Sequence, residues 1–524
     1  MLKKEAHAEL KEEPIFKIDL KPKIPVFPEV PDENVNLKYP LIPPYAYAHI
    51  FWDSDNKELV YFVEEPGLSA EEARILRLLE DGIKELINIS FISVKDPESV
   101  IKYLEKNVQV LLEELRIQLT KDSYLKVMYF IYRDFAGFGK IEPFLNDYFI
   151  EDIECNGTGF PIYIVHRKYR NLRTNIQYDD TQVLTSFVEK LAQKCGQYIS
   201  YATPLLDGAL PDGSRANATF TEDISSRGPT FTIRKFTKKP WTPTKLMQLG
   251  TCSPQILAYL WILIEYEMNI MIVGGTGSGK TTLLNALTFF IPPQARVVSI
   301  EDTRELNLQH ENWLPSVARA GVGLSNLVGQ KYGEVSLFDL LKESFRQNPD
   351  YVIVGEVRGK EAYVLFQGMS SGHPSFGTMH ANSVDTMIRR LETPPINLSG
   401  SLVETLDVVC VMTQTKLQAK PVRRLREVSE IISVADRGSA NINTPFIWDP
   451  QKDTFYFKSN SYAFQKLVLH HGLSITKIMD EFNKRTNLLI AMYKKGIFDF
   501  KEVKEVINEY YKDPKAVLAK FGLI

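Results

Sequence analysis

The stretch Ile270-Met271-Ile272-Val273-Gly274-Gly275-Thr276-Gly277-Ser278-Gly279-Lys280-Thr281 decides how this chain is read. Four apolar residues lead into a glycine-rich loop closed by Lys and Thr, the spacing that lets backbone wrap the phosphates of a nucleotide. Glycines are needed because residues without a Cβ fold tightly enough to aim several N–H groups at one anion. Thr282 to Leu287 then reads as a helix, whose N-terminal dipole and unpaired N–H groups favour the same negative charge. Gly275, Thr276, Gly277, Ser278, Gly279, Lys280, Thr281 and Thr282 are therefore the candidate nucleotide-binding residues. Lys280 is expected at the β- and γ-phosphates and the Thr281 hydroxyl on Mg²⁺.

Around this loop, apolar strands (Ile270–Val273, Val297–Ile300, Tyr351–Val354) alternate with helical stretches (Ser253–Tyr266, Thr281–Phe289, Leu337–Arg346). Alternation with wholly apolar strands predicts an α/β sheet covered by helices on both faces. Residues 247–444 are assigned to this domain. Upstream, residues 1–44 carry eight prolines between Pro14 and Pro44 among Lys and Glu, which reads as a stiff leader or docking arm poor in core material. Residues 45–122 read as a helical subdomain opened by a hairpin-like pattern at Ala46–Trp52. Its helices are Ser69–Glu85 and Glu98–Thr120, with Leu104, Val108, Leu111 and Leu115 on one buried stripe. Residues 123–237 mix strands (161–166, 216–220, 230–236) with a helix at Thr181–Cys195, as a small α+β domain does. Residues 238–246, with Pro240 and Pro243 and no periodicity, read as a linker, with the stretch from Pro240 to Pro243 the plausible hinge because few contacts should cross it. The end, 445–524, reads as a helical appendage.

Composition narrows the classes. The fractions of hydrophobic (44%) and charged (24%) residues are those of an ordinary globular protein, and a formal charge of −3 argues against a dedicated nucleic-acid binder. Cys155, Cys195, Cys252 and Cys410 lie far apart, which excludes a Cys₄ zinc module and suits a reduced, cytoplasmic setting. The most apolar stretch, Ile256 to Val273, is broken by Glu265 and Glu267, so no membrane span is expected.

Acids follow the loop in order. Glu301-Asp302-Thr303-Arg304-Glu305 emerges from the carboxyl end of the second apolar strand, the end that faces a ligand crevice in such sheets. Hydrolysis needs a carboxylate to orient and deprotonate water, and both Glu301 and Glu305 qualify by position. The third strand ends in Gly355-Glu356, where Glu356 is expected to position Mg²⁺, partly through water. Ser371-Gly372-His373 and Thr378-Met379-His380-Ala381-Asn382 place two histidines at a further sheet edge, with His380 the candidate phosphate sensor.

This ordered set resembles the secretion ATPases that drive type II secretion, type IV pilus assembly and archaellum assembly, with type IV secretion motors as more distant relatives. Their phosphate loop, "Asp box", atypical Walker B ending in Gly-Glu, and "His box" are matched by Gly274–Thr281, Ile300–Glu305, Val352–Arg358 and Ser371–Asn382. Further matches are Gly137–Leu145, Ile150–Gly157, Pro211–Arg215 and Thr232–Phe236. The resemblance implies a RecA-like P-loop NTPase domain preceded by a helical segment and a PAS-like α+β domain. It also implies a homo-hexamer with ATP and Mg²⁺ bound at subunit boundaries, and Arg215 and Arg234 as arginine fingers; Arg346 and Arg358 are further candidates. Thr303 stands where relatives usually carry proline, which leaves the base open between the two glutamates; motif position favours Glu305. Lack of the tetracysteine insertion and the long N-terminal segment look like the archaeal branch. The implied function is an ATP-hydrolysing motor at the inner face of the membrane. It would act on an integral membrane platform protein to power assembly or rotation of a pilus-like filament, or secretion. A DNA-transfer motor of the type IV secretion class is the alternative, and a nucleotide-gated scaffold without turnover the third.

Overall fold

The computed structural model describes residues 14–523 apart from 21, 26, 28–29, 87–96, 237–238, 320, 322–331, 418–419, 436–438 and 459. The chain forms two compact units, Met1–Phe236 and Thr237–Ile524. Among the described residues no helix is long and apolar enough to cross a membrane.

The first unit is built on one nine-stranded sheet. Its strands are β1 (Asn36–Ile42), β2 (Ala46–Asp53), β3 (Glu58–Glu64), β4 (Ile150–Cys155), β5 (Pro161–His166), β6 (Arg170–Gln177), β7 (Leu205–Ala209), β8 (Arg215–Thr219) and β9 (Thr230–Arg234). They lie in the order β1-β2-β3-β6-β5-β4-β9-β8-β7, antiparallel except where Val60 and Tyr61 of β3 pair in parallel with Arg173 and Thr174 of β6. That pairing joins the segment before Asp122 to the one after it. The expected division at 122/123 is therefore corrected: one sheet and one hydrophobic core run through both. Two tyrosines, Tyr39 and Tyr61, each donate a 2.7 Å hydrogen bond to the same Asp147 carboxylate oxygen.

The leader is also corrected. Asn36–Ile42 is a strand, and Phe16 is fully buried, stacked on Tyr45 at 5.2 Å. The Glu105 carboxylate accepts from the backbone N–H groups of Ile15 (3.2 Å) and Phe16 (2.8 Å). The prolines suggested solvated chain, but the apolar residues between them carry enough area to dock it. The second helix runs Pro97–Glu114, so Leu115 falls past its end and is 44% exposed while Leu104, Val108 and Leu111 are buried.

The second unit carries another nine-stranded sheet, in the order β12-β11-β13-β14-β10-β15-β16-β17-β18. The strands are β10 (Ile270–Gly274), β11 (Val297–Glu301), β12 (Trp313–Val317), β13 (Tyr351–Val354), β14 (Ser375–Met379), β15 (Val408–Leu417), β16 (Lys420–Ala435), β17 (Ser439–Asp449) and β18 (Thr454–Phe457). The pairs from β12 across to β15 are parallel; β15 to β18 form an antiparallel meander. Every residue of β10, β11, β13 and β14 is buried, because helices cover both faces.

Strands β17 and β18 reach past residue 445, so the helical end begins later than expected, at Tyr462. Its helices share the core of the helix Pro254–Glu265. They are fixed by Glu430, which is 0% exposed. One Glu430 oxygen accepts from the Tyr259 hydroxyl (2.6 Å), the Ser461 hydroxyl (2.6 Å) and Ala463 N–H (3.2 Å). The other accepts from Asn443 Nδ2 (2.6 Å) and Tyr462 N–H (2.7 Å). The carboxylate thus sits at the positive end of the helix Tyr462–His471. The linker is contact-rich beyond Pro240: Thr242 and Thr244 are buried and their hydroxyls donate to Phe498 O (3.1 Å) and Ile497 O (2.8 Å). Thr242 and Thr244 are thus part of the packed second unit rather than free linker, while residues 237–238 lie outside the described set.

Glu430→Ala strips an acceptor from several buried donors and should destabilise the second unit by about 2–4 kcal/mol. Hydrogen exchange across the helices after Tyr462 should quicken in step with a lower melting temperature. Unchanged protection there would show that Glu430 does not anchor them.

Candidate functional site

Strand β10 ends at Gly274, and the loop that follows closes on itself. Ser278 Oγ donates to Gly275 O at 2.8 Å, and Lys280 Nζ donates to the same carbonyl at 3.1 Å. Gly277 and Gly279 take φ of 69° and 93°, backbone that L side chains avoid. Gly279 is the N-cap of the helix Lys280–Leu287 and provides no side-chain cap. The first-turn N–H groups are thus left for an outside acceptor, the arrangement that holds phosphate. Thr281 and Thr282 stand half-buried in that turn.

Lys280 is only 8% exposed. Burial pulls its pKa down, and the nearby Glu356 and Glu305 carboxylates oppose the shift. Its ammonium lies 3.4 Å from His380 Nδ1, and His380 Nε2 lies 3.2 Å from Glu356 Oε1. The other Glu356 oxygen meets Arg358 Nη2 at 2.6 Å, and Arg358 Nη1 lies 3.6 Å from Asp302. The motifs thus meet in one chain of alternating charge, Lys280–His380–Glu356–Arg358–Asp302. Burial and the Lys280 charge lower the His380 pKa, which keeps the imidazole neutral at pH 7. Its Nδ1 then accepts from Lys280 and its Nε2–H faces Glu356. For Glu356, burial pushes the pKa up, but the Arg358 hydrogen bond and the surrounding cations hold it below the ordinary value.

The two glutamates of the acidic loop differ in setting. Glu301 is 2% exposed, and its Oε1 accepts from the N–H groups of Glu305 and Leu306, both at 2.9 Å. Its Oε2 has no hydrogen-bond partner among the described residues, and burial raises its pKa from 4.5 to about 7. Glu305 is exposed, and its charge acts on both Lys280 and Arg358. Asn285, on the phosphate-loop helix, donates to Glu305 O (3.1 Å) and accepts from Asn307 N–H (3.0 Å), which registers the acidic loop against the glycine loop.

The structure explains why β13 ends in Gly-Glu. A Cβ on Gly355 would stand 3.0 Å from Glu301 Cγ, so the buried glutamate occupies the space an aspartate would need. Thr378 Oγ1 donates to Gly355 O at 2.6 Å, which ties β14 to the same turn.

Not every candidate joins this cluster. His373 packs edge-on against Phe345, ring centroids 4.8 Å apart. Arg346 is 79% exposed beside Glu343. Arg215 and Arg234, in the first unit, are cross-strand partners on β8 and β9. Arg215 makes a bidentate pair with Asp207 (3.1 and 2.9 Å), and Arg234 bonds Asp152 at 3.1 Å. Sequence reasoning passed over Asn285, Gln414 and Arg423. The Oε1 of Gln414 lies 3.1 Å from where a Cβ on Gly277 would stand, and Arg423 Cδ 3.3 Å from the corresponding point on Gly279.

The family model for type II/IV secretion system proteins matches residues 135–441, spanning all of these motifs. An uncharacterized protein of Methanocaldococcus jannaschii is 35% identical over 500 residues, covering 91% of this chain and 89% of that one. The type IV secretion system protein PtlH homolog of Bordetella bronchiseptica is 29% identical over 253 residues, covering 42% of this chain and 73% of its own length. Among solved structures, the Legionella pneumophila ATPase DotB aligns over 69% of this chain and 93% of its own at 18% identity, with a TM-score of 0.38. With the phosphate loop and both acidic strand ends inside the matched span, the chain belongs to the type II/IV secretion system protein family.

Proposed function

We propose that this chain is an ATPase that works as a homo-hexameric motor, with residues 123–237 in the role of the PAS-like domain. The motor drives assembly or rotation of a pilus-like filament, or secretion, through an integral membrane platform protein. The observation that carries this reading is the convergence of Lys280, His380, Glu356 and the Glu301–Glu305 loop at the mouth of one glycine loop.

The chemistry follows from the placement. The N–H groups of residues 275–282 surround the triphosphate, and Lys280 leaves Gly275 O and His380 for the β- and γ-phosphates. His380, freed on Nδ1, registers whether the γ-phosphate is present. Glu305, exposed and within the field of Lys280 and Arg358, holds the attacking water and takes its proton. Glu301 stands behind it as a positioning residue, its carboxylate gripping the Glu305 N–H. Glu356 and the Thr281 hydroxyl are oxygen donors suited to Mg²⁺, which supplies charge neutralisation at the β- and γ-oxygens when bound. Arg215 and Arg234 are proposed to act on the nucleotide of a neighbouring subunit. Their present partners are partly exposed carboxylates, and such pairs cost only about 0–1 kcal/mol to exchange.

Lys280→Ala should abolish Mg-ATP turnover in a phosphate-release assay; parental rates would end the assignment. Arg215→Ala and Arg234→Ala should each lower kcat by about 10²-fold or more with the melting temperature unchanged. Turnover at the parental rate would remove them from the site. Glu301→Gln isolates a titration. The folded chain holds the Glu301 proton more tightly than the unfolded one, so the parent loses stability as pH rises from 4.5 to about 7. The Gln variant should escape that loss, gaining about 2–3 kcal/mol relative to the parent across this window and nothing further above it. A pH-independent difference would contradict the buried, protonated Glu301.

A further inference from the structure

We propose that Gln414 and Arg423 form the nucleoside end of the site, contacting the base and ribose of the bound nucleotide. This rests on the nucleotide reading above and extends it to residues outside its four motifs.

Direction comes first. Strand β10 has β14 on one side and β15 on the other. Lys280, His380 and Glu356 meet on the β14 side, so the terminal phosphate faces that way. The rest of an extended nucleotide must then leave toward β15. On that side stands the β15–β16 hairpin, where Gln414 and Arg423 are directly opposed in the antiparallel ladder and share one face.

Placement follows. Gln414 Oε1 reaches the Gly277 apex and Arg423 Cδ reaches Gly279, the cap of the phosphate-binding helix. Met412 Cε, 3.5 Å from the Gly279 Cβ position, adds an apolar contact beside Arg423 at the same glycine. The hairpin is held firmly here: the next residue, Arg424, makes a bidentate pair with Asp453 (2.7 and 2.8 Å) and donates to Leu249 O at 3.0 Å. Gln414 is exposed and Arg423 half-buried.

The side chains suit a nucleoside. A planar guanidinium stacks on a base, and a carboxamide offers both a donor and an acceptor to the edge of a purine. Together they would set affinity and base preference, whereas the acids across β10 set turnover.

The test titrates ATP, GTP and inorganic tripolyphosphate, each with Mg²⁺, into the full chain and into Gln414→Ala, Arg423→Ala and Arg423→Lys. Arg423→Ala should weaken ATP binding roughly tenfold, while tripolyphosphate stays within about twofold of the parent. The preference for ATP over GTP should shrink in Gln414→Ala. Arg423→Lys, which keeps charge and stem but loses the plane, should resemble the alanine variant and so separates stacking from folding defects. In turnover, KM should rise far more than kcat falls. ATP affinities equal to the parent's in all three variants would overturn the proposal, as would tripolyphosphate weakening in step with ATP. If the parent itself fails to bind ATP, the nucleotide reading falls; if the parent binds and the variants match it, only the nucleoside assignment does.

Discussion

Strands β10, β11, β13 and β14 are buried on both faces, and that constraint shapes the rest of the second unit. A parallel strand sealed between helix layers cannot carry charge along its length, so its polar residues gather where it ends. Here the carboxyl ends of four adjacent strands supply the glycine loop, Glu301, Glu356 and His380. The chemistry sits where the fold allows charge to sit, in the crevice at one edge of an otherwise apolar sheet.

That crevice is electrically balanced from within. Lys280, Glu356, Arg358 and Asp302 alternate in sign, with neutral His380 between the first two. Arg358 is paired with Glu356 and Asp302, while Lys280 rests on the Gly275 carbonyl and the His380 ring rather than on a carboxylate. In the proposed motor a triphosphate would give Lys280 a stronger partner than Gly275 O and His380. Arg390, on the helix Val384–Glu392, donates to the His380 carbonyl and so ties that helix to the site. The Gly355–Glu301 contact adds a steric condition: a Cβ on Gly355 would crowd Glu301 Cγ to 3.0 Å, so a side chain here would have to shift the buried glutamate.

Much of the second unit was legible because its signals are local. Glycine spacing, apolar runs and acids at strand ends are set by neighbours in sequence, and the helix Lys280–Leu287 starts within two residues of its expected place. What the sequence hid depends on distant partners. Tyr39 and Leu41 sit among prolines and charges and become core through the first sheet, while Phe16 does so by stacking on Tyr45 and anchoring to Glu105. The helical end looked like an appendage because the Glu430 clamp joins segments about thirty residues apart in sequence with no local pattern. Gln414 and Arg423 belong to an ordinary alternating hairpin, and their place over the glycine loop follows from β15 pairing with β10.

The most direct measurement of the central claim compares Mg-ATP binding and phosphate release in the parent and in Glu356→Gln, with both quantities taken on the same purified full-length protein. The account predicts that the parent binds and turns over ATP, while the variant retains binding and loses turnover by roughly 10²-fold or more. Parental turnover in the variant, or a parent that binds no Mg-ATP, would contradict it.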